Sequence, residues 1–160
     1  MAHPSLYSPL ENRRDFRLMR IKPTNGTDIE IEFEVYRLDS DVKFTALSYV
    51  WGDPKVQNQI VCNGRNVPIT SNLWEVLLQL KHQGCSGLIW ADAICINQQD
   101  NIEKGIQVNM MRSIYSRAAT VIFWLGKEQR YDKDAVRLMN TFFSNNRDHI
   151  DLEPFRASSL

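Results

Sequence analysis

Two carboxylates and a pair of amides stand where they could do chemistry. Asp92 lies inside the apolar run LIWADAICI (residues 88–96). A carboxylate there must either find hydrogen-bond partners or carry a raised pKa, and both situations occur at active sites. The same position serves equally as an internal anchor that fixes the CINQ turn after it. Glu103 follows Asp100 by three residues, so it reads as a catalytic carboxylate or as half of a helix-capping box. Asn97 and Gln98 offer donors and acceptors at the end of the run, suited to an amide or a ribose, or simply to capping a turn. Trp51 and Trp124 end two other apolar runs, where an indole face could stack on a planar ligand ring or pack into the core. Ser48 and Gly52 flank Trp51 and complete the candidate binding set.

Other chemistries find less support. His3, His82 and His149 fall in peripheral segments, which argues against a Ser-His-Asp triad on Ser48 and against a Cys-His pair on Cys95. Without HExxH or paired cysteine ligands, no metal site is expected. Gly52 and Gly126 lack a GxGxxG or P-loop string, so a Rossmann or ATPase reading is weak. Arg112 and Arg117 lie off the main apolar face of their segment and could meet phosphate or another copy of the domain.

The elements that must position these residues follow from periodicity. Leu88–Ile96 is short and unbroken, as in a strand buried on both faces. Asn97 to Asp100 stops it. Ile102, Ile106, Met110, Ile114 and Ala118, with Met111 and Tyr115, then recur at helical spacing and predict one inward face. Thr120–Leu125 is a second buried strand, ended by Gly126. Two strands joined by one helix are expected to run parallel, with a right-handed crossover.

Upstream, residues 1–15 carry Pro4, Pro9 and a charged run and read as a flexible arm. Residues 16–21 and 29–35 read as a hairpin or an edge ribbon. In the second of these, Glu30, Glu32 and Glu34 alternate with apolar residues as a wet strand face. Phe44–Trp51 is apolar on both faces and stops at Gly52-Asp53-Pro54. Asn63-Gly64 centres another hairpin, with Pro68 keeping its second arm at an edge. Ser71 or Asn72, with Glu75, caps a helix whose inward face is Leu73, Val76, Leu77 and Leu80. Residues 135–143 predict a last helix before a polar tail from 144 to 160. The whole reads as an α/β fold, a small parallel sheet flanked by helices with additional antiparallel β-hairpins. In such sheets ligands bind beyond the carboxyl ends of the strands, here Trp51-Gly52-Asp53, Asn97-Gln98-Gln99 and Gly126-Lys127-Glu128.

A chain of 160 residues fits one domain, and 19 basic against 19 acidic residues leave no net field to attract nucleic acid or an anionic membrane. No apolar run reaches membrane-spanning length, the start has no signal-peptide core, and Cys62, Cys85 and Cys95 have no CxxC spacing. A cytoplasmic protein with reduced thiols is expected.

ALSYVWGD (residues 46–53), LIWADAICINQQD (88–100) and EKGIQVNMMRSIYSRAATVIFWLG (103–126) closely resemble the three signature blocks of the fungal heterokaryon incompatibility (HET) domain. FRLMRIKP and SNLWEVLLQL match its opening strand and first helix, so the resemblance covers residues 16–143. It implies a cell-death effector in nonself recognition, attached to regulatory or sensor domains of a longer protein. HET domains are similar to TIR domains, a flavodoxin-like fold that serves as a self-associating adaptor or cleaves NAD at its nicotinamide bond. On that resemblance NAD is the candidate substrate, no other cofactor is required, and Trp51 or Trp124 could stack on the nicotinamide. The Ser, Trp, Cys, Glu context of the TIR catalytic glutamate is absent after Gly126, where Glu128 is the nearest glutamate. Asp92, Glu103 and Glu128 are therefore the candidate catalytic carboxylates.

Overall fold

The computed structural model of the chain describes residues 6–124. Seven strands form one mixed sheet in the order β5-β4-β2-β1-β6-β3-β7. In chain order they are β1 (Asp15–Ile21), β2 (Glu30–Arg37), β3 (Phe44–Tyr49), β4 (Gln57–Cys62), β5 (Arg65–Thr70), β6 (Leu88–Trp90) and β7 (Thr120–Trp124). Helix α1 (Ser71–His82) follows β5, a single turn α2 (Asp92–Cys95) follows β6, and α3 (Asn101–Arg117) leads to β7. The α/β class is as the sequence indicates. The helix expected over 135–143, the tail, and the Gly126-Lys127-Glu128 corner lie outside the described residues.

The parallel part is confined to β3 with its neighbours β6 and β7, and to a two-residue contact of β2 with β4. The hairpins are built into the sheet rather than appended to it. Of the two expectations for β1 and β2, the hairpin holds and the edge ribbon does not: the pair occupies the middle of the sheet, because β1 also pairs antiparallel with β6. Phe16, Leu18 and Met19 are completely buried, so β1 has no wet face. Arg17 is 1% exposed. Its guanidinium is clasped by both carboxylate oxygens of Glu103, one of them at 2.9 Å, and donates to the carbonyls of Cys95 (3.4 Å) and Ser8 (2.5 Å). A buried charge is tolerated only with this degree of pairing. Tyr7 lies over it at 5.0 Å, stacks on Phe33, and donates its hydroxyl to the Ile94 carbonyl, so residues 6–8 make specific contacts ahead of β1.

Alternation divides the sheet into two faces. Phe16, Phe44 and Trp90 share one, where Tyr115 of α3 meets the Trp90 ring edge-on at 5.3 Å. The other carries Ile31, Ile60 and Cys62 beneath α1, whose inward residues are the expected Leu73, Val76, Leu77 and Leu80. Its expected cap is not formed. Thr70 is the N-cap residue without a side-chain bond, and Asn72 reaches instead to the Val50 carbonyl.

Two further expectations are corrected. Leu88–Ile96 is not one strand: β6 stops at Trp90, and the Asp92 carboxylate accepts the Ala93 N–H at 2.8 Å as the chain turns into α2. A short apolar run does not distinguish strand from buried turn. On α3 the expected face holds at Met110, Met111, Ile114, Tyr115 and Ala118, but the first turns depart from it. Ile102 is 79% exposed, whereas Gln107 is buried and donates to the Asp15 carbonyl at 2.7 Å. Glu103 and Gln107 are one turn apart, so their partners on and beside β1 hold the first turns of the helix, ahead of the apolar stripe. Burial pushes the Cys62 and Cys95 thiols up to about 12. Iodoacetamide at pH 8 is therefore expected to modify the half-buried Cys85 first, and Cys62 and Cys95 only on unfolding, read by peptide mass mapping.

Candidate functional site

Strand β3 is where the strand order reverses. The chain leaves it, returns as β6 on one side, and crosses through α3 to β7 on the other. Ligand crevices in α/β sheets open beyond the carboxyl end of such a strand. At that end Trp51 leaves the sheet with 43% of its surface exposed, and its indole N–H bridges both oxygens of Asp92 at 3.1 and 3.2 Å. Asp92 follows the carboxyl end of β6, so the two parallel strands bring together residues 41 apart in the sequence.

Partial burial raises the Asp92 pKa from the usual aspartate value, opposed by hydrogen bonds from Trp51 and from the Ala93 N–H. The Tyr49 hydroxyl lies beside the carboxylate, buried and without a partner in good hydrogen-bonding geometry. Burial, and after it the charge on Asp92, push the Tyr49 phenol far above its ordinary range. Tyr115 donates to the Leu47 carbonyl at 3.0 Å and is pushed up to about 12 by burial and then by Asp92. The result is an ionisable carboxylate against tyrosines that stay protonated. The Tyr49 hydroxyl can donate to an oxygen-bearing ligand, Tyr115 being held by the Leu47 carbonyl, and the carboxylate can stabilise a developing positive charge.

The rim is held from behind. Gly52 has φ +81°, and a Cβ there would stand 2.9 Å from Nδ2 of Asn72, the atom that holds the Val50 carbonyl. Gly52→Ala is expected to lower stability by more than about 1 kcal/mol, measured by thermal melting, because both the backbone conformation and the Asn72 contact oppose a side chain.

The heterokaryon incompatibility protein (HET) family model matches residues 44–156, from the first residue of β3 onward. The chain belongs to the HET family. It is also 38% identical over 121 residues to heterokaryon incompatibility protein 6, OR allele, of Neurospora crassa, a match covering 68% of this chain and 17% of that protein. No solved structure matches the chain.

In this HET chain the residues singled out from sequence separate into two groups. Trp51, Gly52 and Asp92 meet at the rim, and Trp124 pairs with Tyr49 across the β3–β7 ladder. Gln98 supports them by donating to the Asp92 carbonyl at 2.9 Å. Asn97 turns inward: its N–H donates to Glu103 and its side chain accepts from the Gln99 N–H. Glu103 is the anchor of Arg17, with both oxygens occupied. Asp100 does cap α3 through the Ile102 and Glu103 N–H groups, but Glu103 closes no reciprocal box and serves Asn97 and Arg17. Ser48 alternates with Tyr49 on β3 and takes the opposite face. Glu128 lies outside the described residues. Of Ser48 and Tyr49, which alternate so that only one can face the rim, sequence reading chose Ser48, and it missed Tyr115 as a neighbour of Asp92. The only available signal for Tyr49 was its position two residues before Trp51, on the same strand face.

Proposed function

We propose that this chain is the effector domain of a heterokaryon incompatibility protein, causing cell death on nonself recognition, and that it cleaves the nicotinamide bond of NAD at Asp92. The supporting observation is the Asp92 carboxylate, desolvated between Trp51 and Tyr49 beyond the carboxyl end of the strand where the order reverses. Breaking the ribosyl C1′–N bond sends its electron pair to nicotinamide, which leaves neutral. Asp92 stabilises the oxocarbenium ion left behind, with Trp51 against the departing ring. Water then adds at C1′ and loses a proton, giving ADP-ribose. NAD is substrate, and no further cofactor is needed.

Self-association and the regulatory or sensor domains of a longer protein are the proposed partners, with neither nucleic acid nor membrane required. No helix among the described residues is long and apolar enough to cross a membrane. The cytoplasm, where NAD is abundant, is the proposed location. A second reading, a non-enzymatic interaction module, draws on Val50, Trp51 and Val56, exposed apolar side chains clustered in the β3–β4 loop. The purified chain incubated with NAD decides between them. Nicotinamide release followed by chromatography supports the enzyme; its absence, even in a forced oligomer, leaves the interaction module.

A further inference from the structure

Accounting for the backbone groups of β2 leaves one stretch unpaired. Even-numbered residues of β2 bond to β1, as the Lys22 N–H to Glu30 carbonyl bond at 2.8 Å shows at one end and the Leu38 N–H to Arg14 bond at the other. Odd-numbered residues face β4. There the Ile29 and Ile31 carbonyls accept from Val61 and Asn63, and the Phe33 N–H is taken by the Asn63 side chain. The β4–β5 hairpin then turns away. Among the described residues, the Phe33 carbonyl, both backbone groups of Val35 and the Arg37 N–H have no partner. Val35 is 49% exposed. Strand edges of this kind accept another extended chain.

The side chains around this edge define what fits it. On one face Glu30, Glu32 and Glu34 form a row, with Lys22 at 2.9 Å from Glu30 and 3.6 Å from Glu32, and Arg20 at 3.0 Å from Glu34. Arg20 comes from β1 and Lys22 directly follows it. The row sets three carboxylates against two cations, and among the described residues no strand pairs beside Glu32 and Glu34 on the open side. The other face of the edge presents Val35, beside Phe33 and the Tyr7 ring stacked on it. An incoming strand therefore gains by placing basic residues next to the glutamates and apolar residues next to Phe33 and Val35.

We propose that β2 between Phe33 and Arg37 is a docking slot for an extended segment of a partner protein in which basic and apolar residues alternate. The slot precedes the residues that the HET family model matches and does not depend on the Asp92 chemistry.

The test uses the full chain and a fluorescein-labelled peptide of about seven residues, the length of an ordinary strand, in which lysine and valine alternate. A second peptide carries glutamate in place of lysine. Val35→Pro removes the outward N–H while leaving the β1 ladder, which runs through even residues, intact; Val35→Thr keeps that N–H. Fluorescence anisotropy is expected to show the lysine peptide binding the parent and Val35→Thr. Val35→Pro should weaken binding at least about tenfold, and the glutamate peptide should not bind. Should Val35→Pro fold poorly, amide exchange on the parent provides the readout, with peptide slowing exchange at Val35 and Arg37. The proposal is overturned by equal binding to Val35→Pro, by no binding to the parent, or by unchanged exchange at these amides. It is equally overturned if Val35→Pro abolishes self-association of a parent that ignores the peptide, since the slot would then hold a second copy.

Discussion

Glu103→Ala is expected to destabilise the fold by about 3–5 kcal/mol, because it leaves the Arg17 guanidinium buried without its counterion. For a chain of this size, that corresponds to a melting temperature lower by roughly 10 °C. The substitution also strips the Asn97 N–H of its acceptor at 2.9 Å, so the turn between α2 and α3 loosens together with β1. The effect belongs to the pair. In Arg17→Met with Glu103→Leu no buried charge remains, and part of the lost stability should return, although the Ser8 and Cys95 carbonyls lose a donor. Thermal melts of the single and double variants form the cycle. A Glu103→Ala protein that melts with the parent would remove Glu103 from its structural role and return it to the candidate catalytic set.

Asp92→Asn has the opposite signature. Nicotinamide release should fall by at least about a hundredfold, since the charge that stabilises the ribosyl cation is gone. The melting temperature at pH 7 should not fall with it. Burial raises the Asp92 pKa in the folded chain. Between the ordinary aspartate pKa and that raised value, the folded state holds more protons than the unfolded state, so stability falls as pH rises through this window. The ionised carboxylate is thus a burden on the fold at neutral pH, and a neutral amide relieves it. Turnover by the parent depends on the charged form, so its rate should rise with pH through an acid limb displaced above that of an exposed aspartate. Loss of turnover together with a large fall in melting temperature would instead mark Asp92 as an anchor of the turn.

Each of these two carboxylates had a structural and a catalytic reading in the linear chain, Asp92 inside an apolar run and Glu103 in the first turn of a helix. What separates them is the neighbour that folding supplies. Arg17 reaches Glu103 from 86 residues earlier and takes both its oxygens. Trp51 reaches Asp92 from 41 residues earlier and leaves it at the rim. Ser48 and Tyr49 differ for a simpler reason: adjacent strand residues point to opposite faces, and the position of β6 beside β3 decides which of them meets Asp92.

Local pattern was sufficient where burial and chain neighbours agree. The inward face of α1, the Asn63-Gly64 hairpin and the parallel direction of β6 and β7 were legible, since each follows from spacing along a few residues, whereas the place of β3 between those two strands was not. The α/β class followed from them, as did a rim at the strand carboxyl ends with Trp51 on it; Asp92 joins that rim only because β6 stops at Trp90. Long-range polar contacts placed the rest. Burial of Arg17 drew β1 into the middle of the sheet, and the Glu103 and Gln107 bonds turned Ile102 of α3 outward. Hydrophobic periodicity records which side chains avoid water, but it carries no information about which distant charge or carbonyl makes a polar side chain fit to be buried.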